Sequence, residues 1–230
     1  MADIVAASDR SLLVVFGNTL SLENHHRVMD LWRALEHSPL AGVTSISPAC
    51  ASVLVRYDPL RVTAQRLETR LRETIRVNVD APGGALVSPR RMEIPVCYEE
   101  KCAPDLAEVA RESGVSEVEV IRLHGEPTYR VYFLGFAPGF AYLGDVDERI
   151  AAPRRATPRA TVAAGAVGIA GRQTGIYPRR MPGGWRLIGQ CPLPLLETTP
   201  DGGIRTLLEP GDTVTFVPIS WAQFESLVKP

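Results

Sequence analysis

The sequence predicts an α+β protein in which a small N-terminal α+β sandwich domain precedes a β-rich domain built as a barrel or a sandwich. The first third of the chain alternates between strand and helix patterns. A Pro-Gly-Gly stretch at residues 82–84, among few large apolar side chains, then predicts a linker. Residues 135–192 hold 10 glycines and 6 prolines, which favours short strands and shaped loops over helices. We therefore expect domains over residues 1–80 and 91–230, joined by a linker over residues 81–90.

The N-terminal domain follows the order β-α-β-β-α, which predicts a sheet with helices covering one face. Ser21 is a candidate N-cap of the first helix, because its hydroxyl can accept a hydrogen bond from a backbone N–H of the first turn. Val28, Leu31 and Leu35 recur at helical spacing and give this helix an apolar face. The predicted elements are strands over Ser11–Phe16, Val43–Ser47 and Ser52–Arg56, and helices over Leu22–His37 and Thr63–Arg76.

The second domain begins with a strand in which Pro95 indicates an edge position, because proline cannot donate a hydrogen bond to a neighbouring strand. Two short helices follow, separated by Gly114, and the second opens with the capping-box pattern Ser116-Glu-Val-Glu119. The predicted elements are strands over Met92–Tyr98, Tyr129–Leu134, Val167–Ala170, Trp185–Ile188 and Val214–Val217, and helices over Asp105–Glu112, Ser116–Leu123 and Trp221–Val228.

Composition is typical of a globular protein, with 45% hydrophobic and 22% charged residues. Residues 1–11 lack the apolar run of a signal peptide, and no run of about 18 apolar residues occurs. We therefore expect a cytoplasmic protein without membrane contact. The four cysteines form no Cys-x-x-Cys pair, which favours reduced thiols over a zinc site or another metal site.

Charge is unevenly distributed along the chain. The formal net charge of -1 predicts no general attraction to nucleic acid. From Arg149 to Leu196, however, there are eight arginines and not one Asp, Glu or Lys. A local basic segment in an otherwise acidic chain predicts a directed electrostatic field rather than a generally adhesive surface.

Familiar catalytic signatures are missing from the sequence. It contains no G-x-x-x-x-G-K-[ST] phosphate loop and no G-x-S-x-G nucleophile elbow. Gly165, Gly168 and Gly171 recur every third residue, but this spacing is not the dinucleotide-binding fingerprint. The motifs therefore do not indicate a complete enzyme.

Three segments of the second domain carry candidate binding residues. Phe136–Gly144 interleaves aromatic rings with Pro and Gly, so it is either a packed turn at a barrel rim or the wall of a ligand pocket. Pro153–Arg159 projects three guanidinium groups; it is a solvated basic loop, a subunit-docking loop or a site for carboxylate or phosphate. Gly171–Pro178 contains Gln173, whose amide both donates and accepts hydrogen bonds, and Tyr177.

These segments closely resemble the allophanate hydrolase subunit 1 family, which includes a sporulation kinase inhibitor and the B subunit of 5-oxoprolinase. The likeness extends over essentially the whole chain and is most specific between Phe136 and Trp185, where many Gly, Pro, Arg and aromatic positions agree in order. The segments that carry it are residues 136–144, 153–159, 164–171, 173–178 and 182–189, together with 9–14, 57–59, 94–98 and 104–106.

The resemblance implies a cyclophilin-like β-barrel as the second domain. It also implies a non-autonomous subunit that acts with a second subunit of the allophanate hydrolase subunit 2 type and with a lactam-utilisation type subunit. Together they would open 5-oxoproline to L-glutamate, with ATP consumed by the complex. Two alternatives stay open: an inhibitor that binds a sensor histidine kinase, and a subunit of a urea or allophanate amidolyase. Departures from the family pattern, at Ala163, Ala166, Gln190 and Cys191, leave another amide substrate open as well.

With this resemblance, the candidate residues form a hypothetical site for a small carboxylated amide. A histidine in the position of His124 is either structural or a proton-transfer group. The arginines would hold negative charge, while the amide and phenol side chains would orient the substrate amide. The predicted catalytic residues are His124, Gln173 and Tyr177, and the predicted substrate-binding residues are Phe140, Tyr142, Arg155, Arg159 and Trp185.

Overall fold

A computed structural model describes residues 2–19, 21–80 and 89–228. The chain divides into two compact units, residues 1–88 and 89–230. Most of the predicted linker, residues 81–90, lies outside the described residues. Within the described part of the chain, no helix is both long and apolar enough to cross a membrane.

The N-terminal unit is an antiparallel sheet with helices packed on one face. The strands of this sheet follow the order β1-β2-β4-β3. Val53 and Val55 of the sheet share a core with Leu31 and Leu67 of the helices. The Ser21 hydroxyl accepts from the backbone N–H of Asn24, as the N-cap prediction requires. The elements are β1 (Asp3–Ser8), β2 (Ser11–Val15), α1 (Leu22–His37), β3 (Val43–Pro48), β4 (Ser52–Tyr57) and α2 (Ala64–Asn78).

The first strand was not predicted from the sequence. β1 pairs with β2 at the edge of the sheet, and its side chains are exposed except for the half-buried Ile4. A strand that buries almost none of its side chains needs no alternation of apolar and polar residues, so its sequence gives no period-two signal.

The second unit contains a closed barrel with strand order β10-β7-β6-β15-β5-β12-β9. Two shorter ribbons, β8 with β11 and β13 with β14, lie outside this barrel. Its elements are β5 (Arg91–Cys97), α3 (Leu106–Ser113), α4 (Glu117–Gly125), β6 (Tyr129–Leu134), β7 (Ala141–Gly144), a 3-10 turn (Glu148–Ile150), β8 (Arg159–Val162), β9 (Ala166–Ala170), β10 (Gln173–Ile176), β11 (Met181–Gly183), β12 (Arg186–Gln190), β13 (Leu196–Thr198), β14 (Ile204–Thr206), β15 (Thr213–Ile219) and α5 (Trp221–Leu227).

The edge position predicted for the Pro95 strand is wrong. β5 is one of the strands that form the closed barrel. It pairs in parallel with β15, and Pro95 lies opposite Val217. Its other neighbour, β12, pairs with it at Cys97, two residues beyond the proline. Pro95, which has no N–H to donate, therefore lies next to the place where β12 begins to pair with β5, and the barrel accommodates it there.

The two predicted helices of this unit both form, and their ends follow local chemistry. Gly114 ends α3 in the left-handed conformation with φ 67°, where a residue without Cβ has no steric penalty. The Ser116 hydroxyl accepts from the backbone N–H of Glu119, which is one half of the predicted capping box. The Glu119 carboxylate instead binds the guanidinium of Arg122.

Candidate functional site

A cluster of aromatic rings lies between the barrel wall and the ribbon formed by β8 and β11. Phe140 is at its centre, with edge-to-face contacts to Tyr142, Tyr177 and Trp185 at centroid distances of 4.9, 5.2 and 5.3 Å. Such perpendicular arrangements are the favourable geometry for aromatic rings. Four predicted site residues are therefore brought together, although they come from three separate segments of the sequence.

This cluster forms one wall of a cavity of about 270 Å³. The other wall comes from the basic loop before β8 and from the strand β11. The cavity is lined by Phe136, Phe140, Tyr142, Arg154, Arg155, Pro158, Tyr177, Pro182, Gly183, Gly184 and Trp185. A mostly apolar cavity with a few convergent polar groups is the common form of a small-molecule site.

Two glycines make room for these rings. A Cβ at Gly183 would lie 2.4 Å from the Tyr177 hydroxyl oxygen. A Cβ at Gly175 would lie 2.8 Å from the carbonyl oxygen of Ala141 and 3.3 Å from the Phe140 ring. A side chain at either position would displace the rings, so both glycines are required by the shape of the cavity.

Phe136 lies at the mouth of the cavity in an unusual conformation. Its φ is 68°, and the backbone N–H of Ala137 donates to the carbonyl of Gly135 at 2.8 Å. Together these describe a γ-turn with positive φ at its centre, a rare and strained turn for a bulky residue. The ring contacts Phe140 edge-to-face at 5.7 Å, yet Phe136 is 67% exposed.

The hydroxyl of Tyr177 is a polar group of the aromatic wall. The residue is 1% exposed. Burial raises the pKa of this phenol above its usual value, although a hydrogen bond from the Trp185 backbone N–H acts in the opposite direction. Tyr177 therefore stays protonated at neutral pH, and its O–H can donate to a carbonyl oxygen of a bound molecule.

Arg155 and Arg159, predicted to hold a substrate anion, both bind the carboxylate of Asp105. Arg159 donates to it through both terminal nitrogens at 2.8 and 2.7 Å, and Arg155 donates through Nη1 at 3.0 Å. The Leu187 backbone N–H adds a fourth hydrogen bond at 2.7 Å. Burial by itself would raise the pKa of Asp105, but these donors hold it below its usual range. The pair is thus not the free anion site that the sequence predicted, because an internal carboxylate already occupies the two cations.

Arg155 has one unsatisfied donor. The residue lines the cavity, and its Nε is buried without a hydrogen-bond partner among the described residues. An unpaired buried N–H is unfavourable, but this atom lies beneath the surface, so a molecule in the cavity does not contact it.

Acidic side chains neutralise most of the basic segment. Within the described residues, five of its eight arginines are in ion pairs, and the acids come from α3 with its N-cap, from α4 and from the 3-10 turn with its N-cap. The pairs are Arg149 with Asp147 and Glu119, Arg155 with Asp105 and Glu108, Arg159 with Asp105, Arg172 with Glu148, and Arg186 with Glu108 and Glu112. Arg154, Arg179 and Arg180 are exposed, and none of them has an ion-pair partner in the part of the chain that the structure describes.

His124 lies in the barrel interior and not in the cavity wall. The Thr174 hydroxyl donates to the Gly168 carbonyl at 3.0 Å, so it accepts from Nε2–H of His124 at 2.9 Å. Nδ1 then accepts from the hydroxyl of Tyr98 at 2.7 Å. His124 is 0% exposed, and burial lowers its pKa to about 3. The predicted catalytic role does not fit this position, because a neutral, enclosed imidazole with both nitrogens bonded cannot exchange protons with a substrate.

Gln173 also lies apart from the cavity. It opens β10 opposite Gly144 and Ala170, on the same face of the strand as Tyr177 but four residues away. At the rise of an extended strand, this separation is about 13 Å. The predicted catalytic set of His124, Gln173 and Tyr177 is therefore divided among the barrel interior, the far end of β10 and the cavity.

The structure adds residues that sequence reasoning did not place in the site. Asp105 holds the two arginines, and Arg154 and Phe136 stand at the cavity mouth. Asp105 opens a predicted helix and carried no sign of a functional role, and its partners are about 50 residues away. For Phe136 and Arg154 the signal was present, since both belong to segments that were already identified as candidates.

Comparisons with known proteins agree on the family of this chain. Residues 2–202 match the family model described as carboxyltransferase domain, subdomain C and D. The chain is 40% identical over 219 residues to the 5-oxoprolinase B subunit of Bacillus subtilis (strain 168), covering 92% of this chain and 90% of that protein.

Solved structures show the same architecture. The crystal structure of TTHA0988 matches with a TM-score of 0.79 and 37% identity, covering 92% of this chain and 40% of that one. The Kluyveromyces lactis urea amidolyase matches with a TM-score of 0.78 at 21% identity, which supports the fold alone. This chain spans 15% of that protein and less than half of TTHA0988.

The α+β fold with its closed barrel is thus confirmed by solved relatives, and the family match covers both units of the chain. The protein belongs to the carboxyltransferase domain family, subdomains C and D, of the allophanate hydrolase subunit 1 and kinase-inhibitor type that contains the 5-oxoprolinase B subunit.

Proposed function

We propose that this chain is one subunit of an ATP-dependent 5-oxoprolinase, in which the aromatic cavity binds 5-oxoproline. The complex would convert 5-oxoproline, ATP and water to L-glutamate, ADP and phosphate. The relative from Bacillus subtilis, similar over nearly its whole length, carries the name of a 5-oxoprolinase subunit.

The observation that carries the substrate assignment is the unpaired guanidinium of Arg154 in the cavity wall. Among the described residues no acidic side chain pairs with it, so it can donate to a carboxylate bound in the cavity. Hydrogen bonds to a charged acceptor are about twice as strong as neutral ones. A substrate with one carboxylate therefore compensates a cation that the fold leaves unpaired.

The remaining walls suit the lactam ring of 5-oxoproline. Its flat amide packs against the edges and faces of Phe140, Tyr142 and Trp185, which exclude water from it. The Tyr177 hydroxyl donates to the lactam carbonyl oxygen and orients it. Since this phenol stays protonated, its role is to bind and polarise the carbonyl and not to remove a proton.

In this proposal, partner subunits supply the nucleotide site, for which this chain has no motif. The sequence carries no phosphate-loop or dinucleotide motif, and Gly168 lies within strand β9, packed against Trp185. ATP is then handled by a second subunit of the allophanate hydrolase subunit 2 type or by a lactam-utilisation type subunit. We expect the chain to be inactive by itself.

The test is ATP-dependent release of glutamate from 5-oxoproline by this chain, alone and mixed with its two partner subunits. Activity is expected only in the mixture. Arg154→Gln removes the unpaired guanidinium from the cavity wall, so it should raise KM at least tenfold. Arg172→Gln is the matched control, because Arg172 is an exposed arginine of the same basic segment but is not among the cavity-lining residues, and its KM should change little. Equal KM values in both variants would remove the substrate assignment.

Urea amidolyase, part of which shares this fold, makes a linear amide the second candidate. Allophanate also joins an amide to a carboxylate, and it would meet the same arginine. A mixture that releases ammonia from allophanate but no glutamate from 5-oxoproline would select this alternative.

A further inference from the structure

The rim of the cavity combines two features that are unfavourable in a free subunit. Phe136 holds a bulky side chain at φ 68° and leaves it 67% exposed. Strained positions of this kind persist when the surroundings enforce them, and they concentrate at functional sites. The γ-turn fixes the ring outward, since the hydrogen bonds from Gly135 N–H to the Phe140 carbonyl and from Phe140 N–H to the Ala137 carbonyl close the loop.

The second feature is that the unpaired arginines of the basic segment adjoin the cavity lining. Arg154 lines the cavity. Arg179 and Arg180 directly precede strand β11, whose Pro182 and Gly183 line it as well. The other five arginines of the basic segment have acidic partners among the described residues, so the unpaired positive charge of this segment is carried by Arg154 and by the two residues before β11.

We propose that this rim, formed by Phe136, Arg154, Arg179 and Arg180, is the surface on which the second subunit of the complex docks through an acidic face. Phe136 inserts into an apolar recess of that subunit, and Arg179 and Arg180 face its carboxylates. Docking closes the mouth of the cavity, so the substrate site is complete only in the assembled complex. The inference rests on the proposed function, since it takes the second subunit as the partner.

A protein fits this surface better than a small molecule. Aromatic residues and arginine are the residue types enriched at the energetic centres of interfaces. A ligand small enough for a cavity of about 270 Å³ leaves the outward side of Phe136 and the arginines before β11 uncovered. The net charge of the chain, -1, gives no general attraction to nucleic acid, so the local positive charge favours an acidic protein face.

The experiment measures the affinity of the full chain for the second subunit by calorimetry, together with glutamate release by the reconstituted complex. Phe136→Asn removes the ring and substitutes a residue that tolerates positive φ. Its thermal midpoint as a free chain should equal or exceed that of the wild type, while its Kd for the second subunit rises at least tenfold. Leu60→Asn is the matched control, because Leu60 is also apolar and is 95% exposed.

The charge is tested with the double variant Arg179→Glu and Arg180→Glu, neither of which lines the cavity. It should weaken binding at least tenfold at low salt, and the loss should shrink as salt is added. Arg66→Glu, an exposed arginine on helix α2, should leave the Kd within twofold of the wild type.

The outcomes separate this inference from the function. A complex that opens 5-oxoproline but assembles normally with both rim variants overturns the docking surface and leaves the function standing. A complex whose assembly depends on the rim but which does not act on 5-oxoproline supports the docking surface and overturns the function. A Phe136→Asn variant that lowers affinity for 5-oxoproline alone, with assembly unchanged, means that the rim serves the ligand and overturns the docking surface. Absence of binding between the wild-type chains overturns the inference outright.

Discussion

The carboxylate of Asp105 accepts hydrogen bonds from both terminal nitrogens of Arg159, at 2.8 Å from Nη1 and at 2.7 Å from Nη2. This bidentate pair joins the start of helix α3 to strand β8, which with β11 forms the ribbon that covers the aromatic cavity. The Asp105 side chain is 3% exposed, and that of Arg159 is 25% exposed. The pair therefore acts as a structural fastening of the cavity rather than as a binding site for a passing anion.

Asp105→Asn should strongly destabilise the protein. The neutral side chain leaves the guanidinium groups of Arg155 and Arg159 without their counter-charge, and breaking a buried pair in this way costs about 3 kcal/mol. Urea denaturation would measure the free energy of unfolding. Glu108→Gln is the control, since Glu108 lies on the same helix but its side chain is 35% exposed, and it should cost less than about 1 kcal/mol. Equal losses in the two variants would contradict the role assigned to Asp105.

His124 should make the stability of the protein fall with decreasing pH. The folded state binds a proton at His124 only near pH 3, whereas the unfolded chain binds it near pH 6.5. Between these values the unfolded state holds more protons, so the free energy of unfolding decreases by about 1.4 kcal/mol per pH unit as the pH falls.

Urea titrations of the wild type and of His124→Gln between pH 7 and pH 5 would measure this slope. The variant should lose the contribution of one histidine, because glutamine does not titrate. Identical slopes in the two proteins would mean that His124 does not titrate as its burial requires.

Gly183→Ala should disturb the cavity, and Gly184→Ala should not. The new methyl group at 183 would lie 2.4 Å from the Tyr177 hydroxyl oxygen, whereas one at 184 would meet Pro158 at 3.5 Å, an ordinary contact. Overpacking of this kind typically costs about 1–3 kcal/mol. Thermal unfolding of both variants compares them directly, and a destabilised Gly184→Ala with an unaffected Gly183→Ala would refute the packing argument.

Trp185 should report substrate binding through its fluorescence. The indole forms part of the cavity wall, so 5-oxoproline should change its emission in a saturable way. Trp221→Phe should retain the signal, because Trp221 stacks on Phe224 and under Lys101 instead. Trp185→Phe should lose it. A titration curve unchanged in Trp185→Phe would place the ligand elsewhere.

The elements that the sequence predicted well are those with a strong local signal. Helix α1 spans Leu22–His37 as expected, because its N-cap and its apolar period both lie within the segment. The missed strand β1 and the wrong edge position of Pro95 share one cause. In both cases the position of the strand in its sheet depends on the neighbouring strand and not on the strand's own residues. The residue opposite Pro95, for example, is Val217, far along the chain.

For the candidate site, the sequence showed which types of residue are present, but it did not show which residues form ion pairs or hydrogen bonds with one another. The sequence identified the aromatic, glycine and arginine segments that enclose the cavity, since such residues in loops are locally unusual. It also showed eight arginines without a nearby acid inside their own segment. Only the tertiary structure brought Asp105, Glu108 and Glu112 from helix α3 and its N-cap to three of them and enclosed His124 in the barrel. Ion pairing and burial depend on atoms brought together through space, so folding decided which cations remain free for a ligand or a partner.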